Sequence, residues 1–591
     1  MLKIFKRLRK KEWLMICLSL AFIVVQVWLD LRLPEYMEGI TRAVTRVAAD
    51  TSGLVREVIT EGGKMLLCTL GSVVSSVIVG FFAARVAARF SNRLRGDVFR
   101  RVESFSMEEI NGFSTASLIT RTTNDITQIQ MIIAMGLQVI IRAPIMAVWA
   151  VTKMATKNLS WMVLTGSLVM VMLVMIISLM TYATPKFRKI QSLIDNINLV
   201  TRENLTGIRV VRAYNAEGFE ESRFEDANEK FTSNNLKVQR AMQLMNPVMR
   251  MVQTGLSLGI FWIGAYLIEA AGGMQDKVGL LADMTVFSQY AMQVIMAFMM
   301  LPMIFMVLPR VAVSVRRVNE VLDTEPKLHD GSVKESAPGV SGEVEFLNVC
   351  FKYPDAEEYV LHDVSFKASR GETVAFIGST GSGKSTLINL VPRFYDVTEG
   401  QVLIDGVDVR EYTQEALRNK LGYLPQRAVL FMGTVSSNIT FGENGRLPAS
   451  MEDVKHAADI AQASEFVEKM DGSYDSQISQ GGMNVSGGQK QRLAIARAIA
   501  RKPEIYIFDD TFSALDYRTD RELRSALKRE TAGATSLIVA QRIGTIRDAD
   551  RIVVLDEGNV VGIGTHNELM ETCGVYQEIA YSQLSKEELG A

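Results

Sequence analysis

Residues 378–385 carry the strongest chemical signal in the sequence, a glycine-rich loop that ends in a lysine and a serine. All fixed positions of the phosphate-loop pattern are present, with an apolar strand predicted before the loop and a helix after it. Backbone N–H groups of such a loop surround phosphate oxygens. We expect Lys384 to reach the β- and γ-phosphates and Ser385 to ligate Mg²⁺. The residues predicted to contact nucleotide are Gly378, Ser379, Thr380, Gly381, Ser382, Gly383, Lys384, Ser385 and Thr386.

A second apolar run, residues 505–508, delivers a carboxylate that fits the same chemistry. The run ends in Asp509, and an apolar strand that ends in an aspartate supplies a contact to phosphate-bound Mg²⁺. We therefore predict that Asp509 and Ser385 share the metal. From residue 344 onward, strand-like and helical runs alternate, which predicts an α/β domain around both motifs.

The first half of the chain predicts a membrane domain. Six apolar runs are each near the roughly 20 residues that cross hydrocarbon as a helix. They cover residues 13–33, 65–88, 131–154, 161–182, 245–271 and 285–309. Basic residues form the N-terminus and follow the second, fourth and sixth runs. We therefore expect a multi-pass protein of the cytoplasmic membrane with both termini in the cytoplasm, and a long outer loop at about residues 34–64.

Composition and boundaries restrict the possible functions. The formal net charge of −1 gives no basic excess for a nucleic-acid partner. The four cysteines lie far apart and show no metal or disulfide spacing. We predict an α-helical membrane domain at 1–323, whose six transmembrane helices have long cytoplasmic extensions. A polar linker with proline and glycine follows at 324–342, and an α/β phosphate-loop nucleotide-binding domain at 343–591.

Four consecutive residues between the two phosphate-site motifs carry a family resemblance. Ser486, Gly487, Gly488 and Gln489 resemble the signature sequence of ATP-binding cassette proteins. Six membrane spans ahead of one cassette resemble a half-size exporter of that family, and the resemblance covers nearly the whole chain. It implies ATP and Mg²⁺ as cofactors. It also implies a head-to-tail cassette dimer, in which each ATP lies between one chain's phosphate loop and the other chain's signature.

Three further residues match the family's motifs in order. Tyr353 resembles the aromatic residue that stacks on adenine. Gln426 resembles the glutamine that senses Mg²⁺ and faces the membrane domain. Asp516, within residues 513–516, resembles the aspartate of the loop that communicates across the cassette dimer. The resemblance thus implies a role in nucleotide binding for all three, and in the metal site for Gln426.

Two positions depart from the family pattern, and both concern catalysis. Asp510 stands where the family usually has a glutamate as general base, and Gln541 replaces the family's switch histidine. Asp510 is one methylene shorter, so its carboxylate is retracted by about an ångström, and such a misplacement lowers a rate roughly 10²-fold. Gln541 still donates a hydrogen bond but cannot become cationic. We expect a site that binds ATP and hydrolyses it slowly.

The signature is close to consensus, whereas the catalytic positions are not. This asymmetry resembles the degenerate-site subunit of bacterial heterodimeric multidrug exporters. It implies a second half-transporter that carries the catalytic glutamate and the switch histidine, and whose active site is completed by this chain's signature. Three alternatives stay open: a fully active homodimeric lipid or drug exporter, an ATP-gated channel, and a regulatory subunit that moves no cargo.

Other features bear on coupling and cargo. Residues 104–115 and 212–224 are candidates for contact with the cassettes, ordinary turns being the alternative. Methionines at helical spacing in the sixth span fit a cavity wall for lipophilic compounds, but helix packing or lipid contact is the favoured explanation of this pattern. The resemblance to multidrug exporters implies the lipid bilayer and lipophilic small-molecule cargo as partners. Arg142 in the third span has three possible environments: a polar cavity, a carboxylate partner, or the interface.

Overall fold

The computed structural model describes residues 2–45, 51–335, 341–512 and 517–583. The chain forms two units. One contains the residues up to Glu103 together with Thr115–Thr324, and the other contains Ser104–Ser114 together with the residues from Glu325 onward. The first unit is helical and the second is an α/β domain. The short segment Ser104–Ser114 therefore interrupts the helical unit in sequence but belongs with the α/β unit.

Long helices build the first unit, and one short helix, α4, lies in the segment that joins the second. Two π-helical turns, Arg121–Asp125 and Gly136–Ile140, interrupt the third long helical stretch. The helices are α1 (Leu2–Phe5), α2 (Lys10–Thr45), α3 (Thr51–Glu103), α4 (Met107–Phe113), α5 (Thr115–Thr120), α6 (Ile126–Met135), α7 (Arg142–Ala155), α8 (Leu159–Thr206), α9 (Ile208–Ala213), α10 (Glu217–Ala270), α11 (Met274–Met299) and α12 (Leu301–Asp323).

Among the described residues, five helices are long and apolar enough to cross a membrane. They are Lys10–Val44, Leu54–Glu103, Thr115–Ala155, Leu159–Thr206 and Glu217–Ala270. The sixth predicted span is divided between α11 and α12, which meet at Met300. Pro302 stands in the first turn of α12, where its missing N–H breaks no helical hydrogen bond. The proline thus marks the point at which one helix ends and the next begins.

The predicted long loop at residues 34–64 is wrong. α2 and α3 cover this stretch apart from residues 46–50, which lie outside the described residues. Its polar composition suggested a loop, but the charges stand at helical spacing. Arg42 pairs with Glu38 one turn earlier, at 2.6 Å. Such i,i+4 pairs stabilise helices that continue beyond an apolar span.

Arg142 pairs with a carboxylate, which is one of the three environments expected for it. Its Nη2 lies 2.9 Å from Asp30 Oδ2, and Asp30 Oδ1 accepts a hydrogen bond from Ser72 Oγ at 2.5 Å. The pairing offsets the high cost of an isolated charge inside a membrane helix. The ion pairs Lys153–Glu35 and Lys157–Glu38 tie α2 to the end of α7 and the turn after it, and Lys157 also pairs with Asp283 of α11.

The α/β unit contains a mixed six-stranded sheet, an antiparallel four-stranded sheet and a short two-stranded ladder. Its strands are β1 (Val344–Phe351), β2 (Leu361–Ala368), β3 (Thr373–Gly378), β4 (Glu399–Ile404), β5 (Val407–Asp408), β6 (Leu421–Leu424), β7 (Gly433–Thr434), β8 (Gln477–Ile478), β9 (Ile505–Asp509), β10 (Thr535–Val539), β11 (Arg551–Asp556) and β12 (Asn559–Gly564). Its helices are α13 (Lys384–Leu390), α14 (Gln414–Asn419), α15 (Val435–Ile439), α16 (Met451–Ile460), α17 (Ser464–Val467), α18 (Gly487–Ala500), α19 (Tyr517–Glu530), α20 (Ile543–Ile546), α21 (His566–Thr572) and α22 (Gly574–Gln583).

The six-stranded sheet positions the candidate site. Its order is β12-β11-β3-β10-β9-β6, and the ladders from β11 to β6 are all parallel. Residues of β3 and β9 are buried almost without interruption, as expected for strands covered on both faces. The predicted fold class, an α-helical membrane domain with long helical extensions plus an α/β phosphate-loop domain, is confirmed.

Candidate functional site

Four parallel strands end at one edge of the six-stranded sheet, and each leads directly into predicted site residues. β3 leads into the phosphate loop, β9 into Asp510, β10 into Gln541 and β6 into Gln426. Ligands of open α/β sheets bind at the carboxyl ends of the strands. Because β10 lies between β3 and β9, the loop and the acidic residues face each other across one strand.

The phosphate loop has the backbone conformation that its glycines were expected to supply. Gly381 and Gly383 have φ angles of 89° and 91°, a region that favours glycine. A Cβ at Gly383 would lie 2.7 Å from Leu361 Cδ2, so a larger residue would also clash there. Gly383 is the N-cap of α13, whose first turn begins with Lys384. The local sequence thus forms an anion-binding turn at a helix N-terminus.

The Lys384 ammonium lies against the loop itself. Its Nζ donates hydrogen bonds to Gly378 O at 2.9 Å, Ser379 O at 2.7 Å and Ser382 Oγ at 3.2 Å. Burial lowers the pKa of Lys384, and the carboxylates of Asp510 and Asp509 oppose that effect. The lysine is therefore a buried cation beside two acids, positioned next to the space that the loop encloses.

Ser385 and Asp509, the predicted metal ligands, are in contact. Ser385 Oγ donates to Asp509 Oδ1 at 2.8 Å. Burial raises the pKa of Asp509, the Ser385 hydrogen bond opposes the shift, and the Asp510 carboxylate adds to it. A bound cation would relieve the crowding of these two acids. One hydroxyl and one carboxylate fit Mg²⁺, which binds few protein ligands together with substrate phosphates and water.

Asp510 is held by both glutamines of the predicted site. Gln541 Nε2 donates to Asp510 Oδ2 at 2.9 Å, and Gln426 Nε2 lies 3.5 Å from the same oxygen. Asp510 is 9% exposed and has a φ of 45°, an uncommon conformation for a residue with a side chain. Strained backbone of this kind clusters at functional sites. The sheet therefore brings together all three residues around one carboxylate oxygen.

Tyr353 lies in an aromatic cluster next to α13. Its hydroxyl is 3.0 Å from Thr386 Oγ1, and its ring packs edge-on against Tyr395, with centroids 5.4 Å apart. Tyr395 in turn accepts a hydrogen bond from Asn111 Nδ2 at 3.1 Å. Asn111 belongs to α4, within one of the two predicted coupling segments. The predicted adenine-stacking residue is thus one side chain away from that segment.

The helix α4 is fixed to the α/β unit by Glu109. This carboxylate accepts from the backbone N and the Oγ of Ser106 at 2.7 Å and 2.6 Å, forming a capping box, and from Lys327 N at 3.2 Å. Burial alone would raise the pKa of Glu109, but these hydrogen bonds leave it below its ordinary value. The stacked rings of Phe105 and Phe113 close the other side of the turn.

The signature residues lie at the start of α18. Ser486 is the N-cap, and Gln489 completes a capping box by accepting from Ser486 N at 2.9 Å. In the part of the chain that the structure describes, no hydrogen bond joins residues 486–489 to the phosphate loop. Within the described residues, the predicted signature and the phosphate loop thus make no direct polar contact. Asp516 lies outside the described residues.

Sequence reasoning missed one residue that contacts the catalytic positions. Gln583, in α22, accepts from Ile543 N at 2.9 Å and donates to Gln541 O at 2.7 Å. It holds the backbone on both sides of residue 542. No motif surrounds Gln583, so nothing in the sequence indicated this contact.

Comparisons with known proteins agree with this architecture. Residues 361–513 match the family model described as ABC transporter, and residues 16–308 match the one described as ABC transporter transmembrane region. A solved structure of a bacterial Atm1-family ABC exporter with ATP bound is similar over 95% of this chain and 97% of that chain. The TM-score is 0.76 and the sequence identity 26%.

Two curated relatives cover most of the chain. An uncharacterized ABC transporter ATP-binding protein of Mycobacterium tuberculosis is 38% identical over 549 residues, which are 92% of this chain and 90% of that protein. An ATP-dependent lipid A-core flippase of Pseudomonas aeruginosa is 32% identical over 510 residues, 85% of this chain and 82% of that protein. With its membrane region and ATP-binding domain both matched, the chain belongs to the ABC transporter family and is a half-transporter of the exporter type.

Proposed function

We propose that this chain is the degenerate-site half of a heterodimeric exporter that moves lipophilic compounds across the cytoplasmic membrane. In the proposed cycle, ATP binding draws two cassettes together. The long helices then change the opening of a cargo cavity between the membrane helices from one side of the membrane to the other. Hydrolysis, mainly at the partner's catalytic residues, resets the cycle. Both termini face the cytoplasm in this proposal, as the basic residues near the span ends suggest.

One observation carries the degenerate-site assignment: the Asp510 carboxylate is short and held by two carboxamides. The oxygen that would polarise the attacking water accepts from Gln541 at 2.9 Å and lies 3.5 Å from Gln426. A general base must reach its proton directly or through one water. Neither glutamine can supply a cation to the developing phosphate charge. ATP binding is supported separately by the intact loop at 378–385.

The remaining residues take the roles that their contacts suit. Lys384 would turn from the loop carbonyls to the β- and γ-phosphates, and Tyr353 would stack on adenine. Ser385 and Asp509, with Gln426, would hold Mg²⁺ against the phosphates. Ser486 and its neighbours would complete the partner's site, which is consistent with the lack of a hydrogen bond between them and this chain's own loop among the described residues.

The test is the ATPase activity of the full-length chain, purified alone and then co-expressed with a half-transporter that carries glutamate and histidine at the positions of Asp510 and Gln541. We expect low activity alone and strong activity together. The partner's glutamate replaced by glutamine would remove that activity. Strong activity of the chain alone would refute the degenerate-site proposal.

A fully active homodimeric lipid exporter is a second candidate. Asp510 still places a carboxylate where the family has its general base, so the charge of that group is retained. The named lipid A-core flippases among the relatives also suggest an amphipathic lipid as cargo. The same ATPase measurement separates the two candidates, since only the homodimer hydrolyses ATP rapidly without a partner.

A further inference from the structure

The helical unit contains a cavity of about 720 Å³ between α2, α3, α7, α11 and the π-helical turn Gly136–Ile140. Ligand pockets for small molecules occupy roughly 300–1,000 Å³, so the volume suits one amphiphile or a large part of one. Its walls differ sharply in chemistry. The apolar wall consists of Leu33, Val79, Met146, Met292, Met296 and Met300.

The polar wall is dominated by four glutamines, Gln26, Gln138, Gln289 and Gln293. Within the described part of the chain, none of the four carboxamides makes a hydrogen bond to another residue. Gln26 is 5% exposed, and the Oε1 atom of Gln293 is buried without a partner. Buried polar groups are normally hydrogen-bonded, and leaving one unpaired is costly. The unpaired buried groups are the Gln26 carboxamide and the Gln293 Oε1 atom, whereas Gln289 is half-buried and Gln138 exposed. These two buried groups facing one cavity indicate a ligand, or water that a ligand replaces.

The charges of the cavity are already neutralised. Asp30 and Arg142 pair with each other at 2.9 Å, and the second oxygen of Asp30 accepts from Ser72. An anionic head group beside Arg142 would meet the Asp30 carboxylate, and a cationic one would meet the guanidinium. In low dielectric surroundings such like-charge contacts are strongly unfavourable. An uncharged head group has no such conflict.

We propose that this cavity binds an amphiphile whose head group is uncharged and rich in hydroxyl groups, such as a neutral glycolipid or a glycosylated amphiphile. This inference rests on the proposed export function and names the cargo class for it. A carboxamide both donates and accepts, which matches a hydroxyl group in either direction. The hydrocarbon tail lies on the apolar wall, whose flexible methionine side chains accept tails of varied shape.

The experiment uses the full-length chain in phosphatidylcholine nanodiscs without nucleotide. Three probes carry the same diazirine-labelled acyl chains: glucosyl-diacylglycerol, phosphatidylglycerol and diacylglycerol. After irradiation, mass spectrometry quantifies the label on cavity residues. We expect about tenfold more label from the glucolipid than from either other lipid, since one hydrogen bond to a buried polar group has about that effect. Equal labelling, or preference for phosphatidylglycerol, overturns the inference.

A variant pair assigns the selectivity to the glutamines. Gln289→Leu with Gln293→Leu reduces glucolipid labelling to the level of diacylglycerol. Gln253→Leu, a membrane-helix glutamine outside the cavity lining, leaves it unchanged. An unchanged melting profile of the full-length chain, which includes the helical unit, shows that each variant is folded. Unchanged selectivity in the double variant contradicts the inference.

Competition and transport separate the remaining questions. If n-octyl-β-D-glucoside below its critical micelle concentration reduces labelling by the glucolipid, the cavity also accepts amphiphiles from water. If it does not reduce the labelling, the cargo is a membrane lipid. Both results support the cargo class. ATP-driven movement is measured separately in proteoliposomes that contain the chain together with the partner half-transporter that restores ATPase activity. Transport of a lipophilic dye without glucolipid selectivity overturns the cargo class alone, whereas absence of any ATP-driven transport overturns the proposed function.

Discussion

The hydrogen bond between Gln541 and Asp510 makes the two departures from the family pattern act as a pair. The Gln541 amide donates to one carboxylate oxygen of Asp510, so a change of either residue alone alters the hydrogen bond that the other one makes. Residues in direct contact generally show non-additive effects on substitution. The pair is therefore best examined as a double-mutant cycle rather than by single substitutions.

Restoring both consensus residues should activate the site. We expect Asp510→Glu with Gln541→His to raise the steady-state ATPase rate of the chain alone about 10²-fold, because the carboxylate advances by about an ångström and a cation becomes available. Asp510→Asn is the matched control and should give no gain. An unchanged rate in the double variant would show that hydrolysis is limited elsewhere.

His566 provides a pH-dependent contribution to stability. It is 5% exposed, and its Nδ1 lies 2.7 Å from the Tyr576 hydroxyl. Burial, with a smaller effect of Arg547, lowers the pKa of His566 from its ordinary value of 6.5. The folded cassette thus favours the neutral ring, while the unfolded chain binds a proton near pH 6.5. This effect is absent at higher pH and destabilises the fold as pH falls below 6.5.

We therefore expect the cassette's melting temperature to fall more between pH 7.5 and pH 5.5 in the natural chain than in His566→Gln. The glutamine retains a polar contact to Tyr576 but does not titrate. Scanning fluorimetry of the full-length chain at both pH values measures the difference. Equal losses in both proteins would mean that His566 contributes nothing to the acid sensitivity.

At the scale of elements, α4 depends on a buried cap rather than on its surface ion pair. Glu109→Ala removes the carboxylate half of the capping box and the contact to Lys327 N, while the Ser106 side chain still caps the first turn. We expect α4 to lose about 1 kcal/mol of stability. Glu108→Ala removes only an exposed pair with Lys327, which is worth little. Hydrogen exchange over residues 107–113 should accelerate in the first variant and stay nearly unchanged in the second. The reverse order would contradict the assignment.

Periodicity and motif spacing predicted an element correctly where a short stretch of sequence determines its backbone conformation. The phosphate loop, the strand before Asp509 and the helix after residue 486 follow from short patterns that fix the backbone. The helix across residues 34–45 was missed because its polar composition resembles a loop, and only pairs such as Glu38 and Arg42 mark it as helical. The contact of Gln583 with residues 541–543 depends on tertiary packing, which no local pattern encodes.

At the scale of the whole molecule, the separation of the signature from the phosphate loop predicts unequal roles for the two. Gly487 has open space around its Cα, so Gly487→Asp should fold normally but place an anion against the partner's nucleotide. We expect the ATPase activity of the heterodimer to fall at least about tenfold, because like charges repel strongly at an interface. Lys384→Ala, in the phosphate loop that we propose belongs to the degenerate site, should leave most of that activity.

The matched control is Gly574→Asp, which adds the same charge at another helix start with open space. It should leave the activity of the heterodimer unchanged. If Lys384→Ala is the more damaging substitution, then hydrolysis occurs at this chain's own phosphate loop.

The sequence predicted unequal roles for the two nucleotide sites only through the family resemblance, since neither spacing nor composition identifies a second chain.

The hydrogen bonds of Gln583 connect α22 to residues 541–543, next to the proposed catalytic position Gln541. Gln583 of α22 is 42 residues beyond Gln541 in sequence, yet it donates to the backbone carbonyl of that residue at 2.7 Å. An affinity tag or a truncation at α22 would therefore act as an active-site substitution. Activities compared between differently tagged versions of this protein would report on the tag as well as on the nucleotide site.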